Sequence, residues 1–126
     1  MTSAAPATTV RIMLVDDHPV VRRGLRDILA DAFDGAVIHE VGSGREAVTL
    51  VRGELWTAVI LDLSLPDGSG LDVLKHIREI QPRLPVLILS MHGVDQFARR
   101  AITAGAAGYL TKDTADAELV TAVTRV

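Results

Sequence analysis

Ala58-Val59-Ile60-Leu61-Asp62-Leu63-Ser64-Leu65-Pro66-Asp67-Gly68-Ser69-Gly70 is the stretch on which the fold turns. Its first four residues are apolar, the fifth is a carboxylate, and turn residues follow within a few positions. A short apolar run closed by turn formers reads as a strand buried on both faces, which puts Asp62 at its carboxyl end. A second run, Ile12-Met13-Leu14-Val15, ends on Asp16-Asp17. Parallel neighbours lie about 4.8 Å apart, so adjacent strands would bring the three carboxylates into one crevice. Their mutual repulsion calls for a cation. Hard oxygen donors with room for water suit Mg²⁺.

Outward from these two strands, the chain alternates. Val10 to Val15 is the first strand, and Asp17-His18-Pro19 starts a helix, with an acidic cap and proline in the first turn. Val21, Leu25, Ile28, Leu29 and Ala32 keep the helical period to about Phe33, and Gly35 supplies a left-handed stop. Residues 36–41 form an edge strand. Ser43 and Glu46 have capping-box spacing for a second helix burying Ala47, Leu50 and Val51, with Trp56 as a packing residue behind it. Pro66-Asp67-Gly68 is a turn, and Ser69 caps a third helix burying Leu71, Leu74 and Ile77; Pro82 and Pro85 end it. Val86 to Leu89 closes on Ser90, and a helix over 94–104 stops at Gly105. A weak strand over 107–110 leads to Lys112, and Thr114 caps a last helix with Leu119, Ala122, Val123 and Val126 on one side.

Five strands alternating with five helices across short connections imply right-handed crossovers. The fold class is α/β: a five-stranded parallel sheet of order 2-1-3-4-5 with helices on both faces, flavodoxin-like and doubly wound. Its switch point lies between the first and third strands, where ligands bind.

Composition narrows the function classes. The chain has 126 residues, 48% of them hydrophobic, and a formal charge of −3, enough for one domain with a proper core. That balance gives no broad electrostatic reason to bind DNA or an anionic membrane directly. No cysteine is present, which excludes disulfides and thiolate chemistry and agrees with a cytoplasmic location. Residues 1–9 lack the basic and apolar regions of a signal peptide and read as a flexible tail before a domain over 10–126. No stretch reaches the roughly 18 apolar residues of a membrane span.

The carboxyl ends of four strands deliver Asp16, Asp17, Asp62, Ser90 and Lys112 to one rim. Carboxylates can hold Mg²⁺, the metal can neutralise an incoming phosphoryl group, and Lys112 and Ser90 can bond its oxygens. Asp62 is then a candidate nucleophile, with an acyl phosphate as product.

The sequence resembles the receiver domain of two-component response regulators. The residues that carry the likeness are Leu14-Val15-Asp16-Asp17-His18, Ile60 through Gly70, Leu87-Ile88-Leu89-Ser90, and Gly105-Ala106-Ala107-Gly108-Tyr109-Leu110-Thr111-Lys112-Asp113. The resemblance implies Asp62 as phosphoacceptor, Asp17 as a direct Mg²⁺ ligand, Asp16 as a ligand largely through water, and the backbone carbonyl of Ser64 as a further ligand. It also implies Ser90 as a switch hydroxyl, Lys112 as the cation on the phosphoryl group, and Tyr109 as an aromatic that changes rotamer. Ser90-Met91-His92 and Lys112-Asp113 are most similar to NarL/FixJ-type regulators. That likeness implies a sensor histidine kinase as donor and a homodimer on phosphorylation. It implies DNA contact only through a LuxR-type helix-turn-helix effector, which this chain does not contain. Asp113 stands where many receivers have proline, so the loop carrying Lys112 is expected to be aimed differently.

Two rivals compete. A Mg²⁺-dependent phosphatase or phosphotransferase would need a positioned acid and base with a substrate pocket, and no insertion supplies one. A phosphorylation-independent interaction module would have had no use for the acidic residues and Lys112, all of which are present. The histidines at 18, 39, 76 and 92 have no zinc-ligand spacing and read as surface or satisfied positions. Arg22-Arg23 and Arg99-Arg100 read as solvated helix faces, the second pair also as a candidate partner surface.

Overall fold

A computed structural model describes residues 10–65, 68–90, 95–112 and 114–126. The elements run β1 (Arg11–Val15), α1 (Pro19–Ala32), β2 (Val37–Val41), α2 (Gly44–Gly53), β3 (Ala58–Asp62), β4 (Ser64–Leu65), β5 (Gly68–Ser69), α3 (Gly70–Ile80), β6 (Val86–Ser90), α4 (Asp95–Thr103), β7 (Gly108–Thr111) and α5 (Ala115–Arg125). Five strands form one parallel sheet in the order β2-β1-β3-β6-β7, the arrangement expected from sequence. The expected tail at 1–9 lies outside the described residues.

Period-two alternation divides the core. Met13, Val15, Val59, Leu61, Val86 and Ile88 face one layer, where they meet Ala47 and Val51 of α2, Leu74 and Ile77 of α3 and Ala101 of α4. Ile12, Leu14, Ile60, Leu87 and Leu89 face the other, against Leu25 and Leu29 of α1 and Leu119 and Val123 of α5. All five residues of β3 are buried, as a central strand covered by helices on both sides must be. The edge strand β2 alternates exposed and half-buried positions until Val41.

Several local expectations are corrected. The N-cap of α1 is His18, with Pro19 in the first turn and no side-chain cap. Asp17 is not the cap, because the helix begins at Pro19 and the capping position falls on His18, whose N–H donates to Asp16 Oδ1 at 2.8 Å. Thr114 is the N-cap of α5 but makes no side-chain cap bond. Its hydroxyl instead lies 2.8 Å from Thr111 Oγ1, which ties the helix start to β7. Val126 is exposed rather than buried with Leu119 and Val123. Arg22 is no solvated residue: it bonds the Asp16 carbonyl at 2.7 Å and pairs with Glu40 at 3.1 Å.

Other expectations stand. Ser43 Oγ accepts the Glu46 N–H at 3.2 Å, and Gly35 and Gly105 have φ of 75° and 104°, the left-handed region that glycine enters without penalty. Behind α2, Trp56 is buried, donates Nε1–H to the Leu50 carbonyl at 3.2 Å and carries the Arg11 guanidinium 4.5 Å over its ring. Arg11 also bonds Glu54 and the Leu55 carbonyl.

Between β3 and α3, sequence suggested a simple turn and the structure has a small antiparallel hairpin, Ser64 opposite Ser69 and Leu65 opposite Gly68. Pro66 and Asp67 of the expected turn lie outside the described residues, as does the side chain of the expected cap Ser69. The hairpin returns the chain so closely that a Cβ on Gly70 would stand 2.7 Å from the Asp62 carbonyl oxygen and 2.7 Å from Leu63 Cα. Those neighbours are backbone and cannot move aside cheaply. Gly70→Ala is therefore expected to lower unfolding free energy by about 1–3 kcal/mol, the usual cost of overpacking, measured by urea denaturation.

Candidate functional site

Register builds the site. Val15 pairs with Leu61 across β1 and β3, so the next residues, Asp16 and Asp62, leave the sheet side by side. Asp16 is still held by the ladder, its N–H donating to the Val41 carbonyl at 3.0 Å. Ser90 ends β6 opposite Thr111 of β7, and Lys112 N–H donates to the Ser90 carbonyl at 2.8 Å. That bond starts the Lys112 side chain from the same rim.

The cluster is dry at its base. Asp16 and Asp62 are 0% exposed and Lys112 is 8% exposed, its Nζ lying 3.1 Å from Asp62 Oδ2 and 3.3 Å from Asp16 Oδ2. Asp17, about a third exposed, stands at the mouth. One ammonium thus pairs with two buried carboxylates, while the third carboxylate meets His18. Asp16 Oδ2 and Asp17 Oδ1 are buried and make no hydrogen bond, but lie in ion-pair range of Lys112 Nζ at 3.3 Å and His18 Nδ1 at 3.2 Å respectively. Donor atoms of Asp16, Asp17, His18 and Asp62 all lie within 4.8 Å of one another. The residues fit a hard divalent cation, which would take up the carboxylate oxygens' remaining lone pairs.

Asp16, Asp17, Asp62 and Lys112 come together as the sequence suggested. Ser90 is buried at the end of the adjoining strand. Tyr109 lies on β7 opposite Ile88 and packs against the core layer of α2 to α4. Ser64 lies on β4, just past Asp62. Asp113, whose effect on the Lys112 loop was an expectation, and Met91 and His92 fall outside the described residues.

Sequence reasoning missed His18. Its Nδ1 is 3.1 Å from Asp16 Oδ1, 3.2 Å from Asp17 Oδ1, 3.8 Å from Asp62 Oδ2 and 3.1 Å from Lys112 Nζ. Spacing among histidines could not reveal this, because its companions are carboxylates on two strands. Its position directly after Asp16-Asp17 was the available signal.

Lys112 is the compensating charge for two buried carboxylates, and removing one partner of a buried ion pair costs about 3–5 kcal/mol. In metal-free buffer Lys112→Met is expected to destabilise the domain by about that amount. Adding Asp62→Asn should recover more than half of the loss, as read from urea unfolding of both variants.

Comparison with known proteins agrees with this geometry. A family model described as the response regulator receiver domain matches residues 12–124. The chain belongs to that family, a class of signalling domain in two-component systems that is in general activated by sensor histidine kinases. Its relatives are LuxR/NarL-family response regulators. It is 44% identical over 115 residues to the transcriptional activator protein ExaE of Pseudomonas putida, covering 91% of this chain and 54% of that protein. It is 41% identical to the DNA-binding transcriptional activator DevR/DosR of Mycobacterium tuberculosis, covering 90% of this chain and 52% of that one. The chain therefore spans about half the length of these relatives. Among solved structures, a LuxR-family response regulator from Aurantimonas sp. SI85-9A1 superposes with a TM-score of 0.86 at 42% identity, covering 94% of this chain and 84% of that one.

Proposed function

We propose that Asp62 accepts a phosphoryl group from the phosphohistidine of a sensor histidine kinase, with Mg²⁺ held in the acidic crevice. The observation that carries this reading is a fully buried carboxylate paired with Lys112 at 3.1 Å, with the carboxylate oxygens of Asp16 and Asp17 within 4.8 Å of its own. The Asp62 oxygen attacks phosphorus, the P–N bond to the donor imidazole breaks, and the departing nitrogen takes a proton. Asp16, Asp17, Asp62 and the Ser64 carbonyl would hold the metal, which supplies charge neutralisation for the transferring group. Lys112 offers its ammonium to the phosphoryl oxygens, and Ser90 its hydroxyl.

The new charge at the rim biases a bistable element, with Tyr109 on β7 as the side chain that changes position. Homodimerisation is the proposed output. Two similar proteins are named as transcriptional activators, and any DNA contact would belong to an effector domain rather than to residues 10–126. The domain is proposed to work in the cytoplasm; among the described residues no helix is long and apolar enough to cross a membrane.

Incubation with acetyl phosphate and Mg²⁺ should give one phosphoryl adduct by intact-protein mass, absent from Asp62→Asn and from samples without metal. A folded wild-type domain that takes no adduct from either acetyl phosphate or a histidine kinase overturns the reading. Mg²⁺ at ten times its Kd should raise unfolding free energy by about 1.4 kcal/mol, and Asp17→Asn should abolish that gain.

A further inference from the structure

Asp16 has its backbone fixed on both sides, and one of the two holds is a side chain. Its N–H donates to the Val41 carbonyl at 3.0 Å, which continues the pairing of β1 with β2. Its carbonyl accepts from Arg22 Nη1 at 2.7 Å. The same guanidinium gives its Nε–H to Glu40 Oε1 at 3.1 Å, so one planar fork spans α1, the end of β1 and the edge strand. Gly42 leaves the space for it, since a Cβ there would stand 3.3 Å from Arg22 Nη1.

The Asp16 carbonyl lies in the peptide plane that joins Asp16 to Asp17. Holding that oxygen holds the plane, and with it the direction in which Asp17 leaves the strand end. A plane free to turn would carry the Asp17 carboxylate away from Asp16 and Asp62, to which its donor atom now lies within 4.8 Å. Charge alone works against this effect, because a guanidinium repels a cation in the crevice. Glu40 pairs with Arg22 at 3.1 Å and offsets much of that repulsion, which leaves the geometric hold to decide the sign.

We propose that Arg22 is a positioning residue of the acidic crevice: by holding the Asp16 carbonyl it orients Asp16 and Asp17 for Mg²⁺. The inference rests on the Mg²⁺ reading above and adds to it a residue that touches none of the carboxylate oxygens of the crevice. Arg26 is the natural control. It lies 3.5 Å from the same Glu40, and among the described residues it makes no bond to Asp16.

Calorimetric titration of the metal-free 126-residue chain with Mg²⁺ tests this on wild type, Arg22→Met, Arg22→Lys and Arg26→Met, beside circular dichroism to confirm folding. Arg22→Met keeps an aliphatic stem and removes the donors. It should weaken Mg²⁺ by about 10–100-fold, the usual loss when a residue that orients a metal ligand is removed, whereas loss of the charge by itself would tighten binding. Arg22→Lys keeps the charge, but a point ammonium settles on the Glu40 carboxylate and cannot also span to the carbonyl. Its Mg²⁺ affinity should therefore fall by about tenfold as well. Arg26→Met removes the same charge from the same glutamate and should not weaken Mg²⁺. A folded Arg22→Met or Arg22→Lys that binds Mg²⁺ as tightly as wild type, the result of a tie that serves only fold stability, overturns the inference while the Mg²⁺ reading stands. So does an Arg26→Met that loses as much affinity as the Arg22 variants. Wild type that binds no Mg²⁺ overturns both.

Discussion

Two fully buried carboxylates share one ammonium, and much of the architecture serves to hold them there. Asp16 and Asp62 are adjacent because β1 and β3 pair in parallel at Val15 and Leu61, and Lys112 reaches them because β7 lies beside β6. A buried ion cluster contributes little net stability, since desolvation offsets most of the Coulomb gain. The free energy that tolerates it comes from the two apolar layers on either side of the sheet. The site is a local concentration of unsatisfied charge within a fold stabilised elsewhere, which is how a polar crevice stays responsive to a cation or a phosphoryl group.

The rim is also tied to the edge of the sheet. Arg22 bonds the Asp16 carbonyl and pairs with Glu40 on β2, while Arg26 lies 3.5 Å from the same glutamate. One turn of α1 thus joins the acidic strand end to the edge strand. The half-buried setting of these groups makes the link stronger than an exposed pair of the same length, which is worth little.

The sheet order and the meeting of the acidic residues with Lys112 were legible because they depend on long-range patterning: apolar runs of strand length, each ending on a polar residue, separated by helical repeats. Features set by competition between neighbours were less so. Asp17 was expected to cap α1, but the helix begins at Pro19, so the capping position falls to His18, whose N–H goes to Asp16. Thr114 has cap chemistry, yet Thr111 offers its hydroxyl a partner across the turn. Gly70 reads as an ordinary helix-start residue until the hairpin brings its backbone against Asp62. His18 and Arg22 escaped for a related reason, since each acts through residues distant in the chain or through a backbone atom that no spacing rule names.

Trp56 is the sole tryptophan, and it stands at the amino end of β3, whereas Asp62 stands at the carboxyl end. Six residue steps of extended chain separate the two by about 20 Å at 3.3 Å per residue. The indole is boxed in by Arg11, by His39 at 5.8 Å between ring centroids, and by the Leu50 carbonyl, all at the pole of the sheet remote from the carboxylates. Tryptophan fluorescence of this chain is consequently a gauge of global integrity, remote from what occupies the rim. Occupancy of the crevice must be followed by a different optical signal, from Tyr109 on β7 or from a probe introduced near the carboxylates.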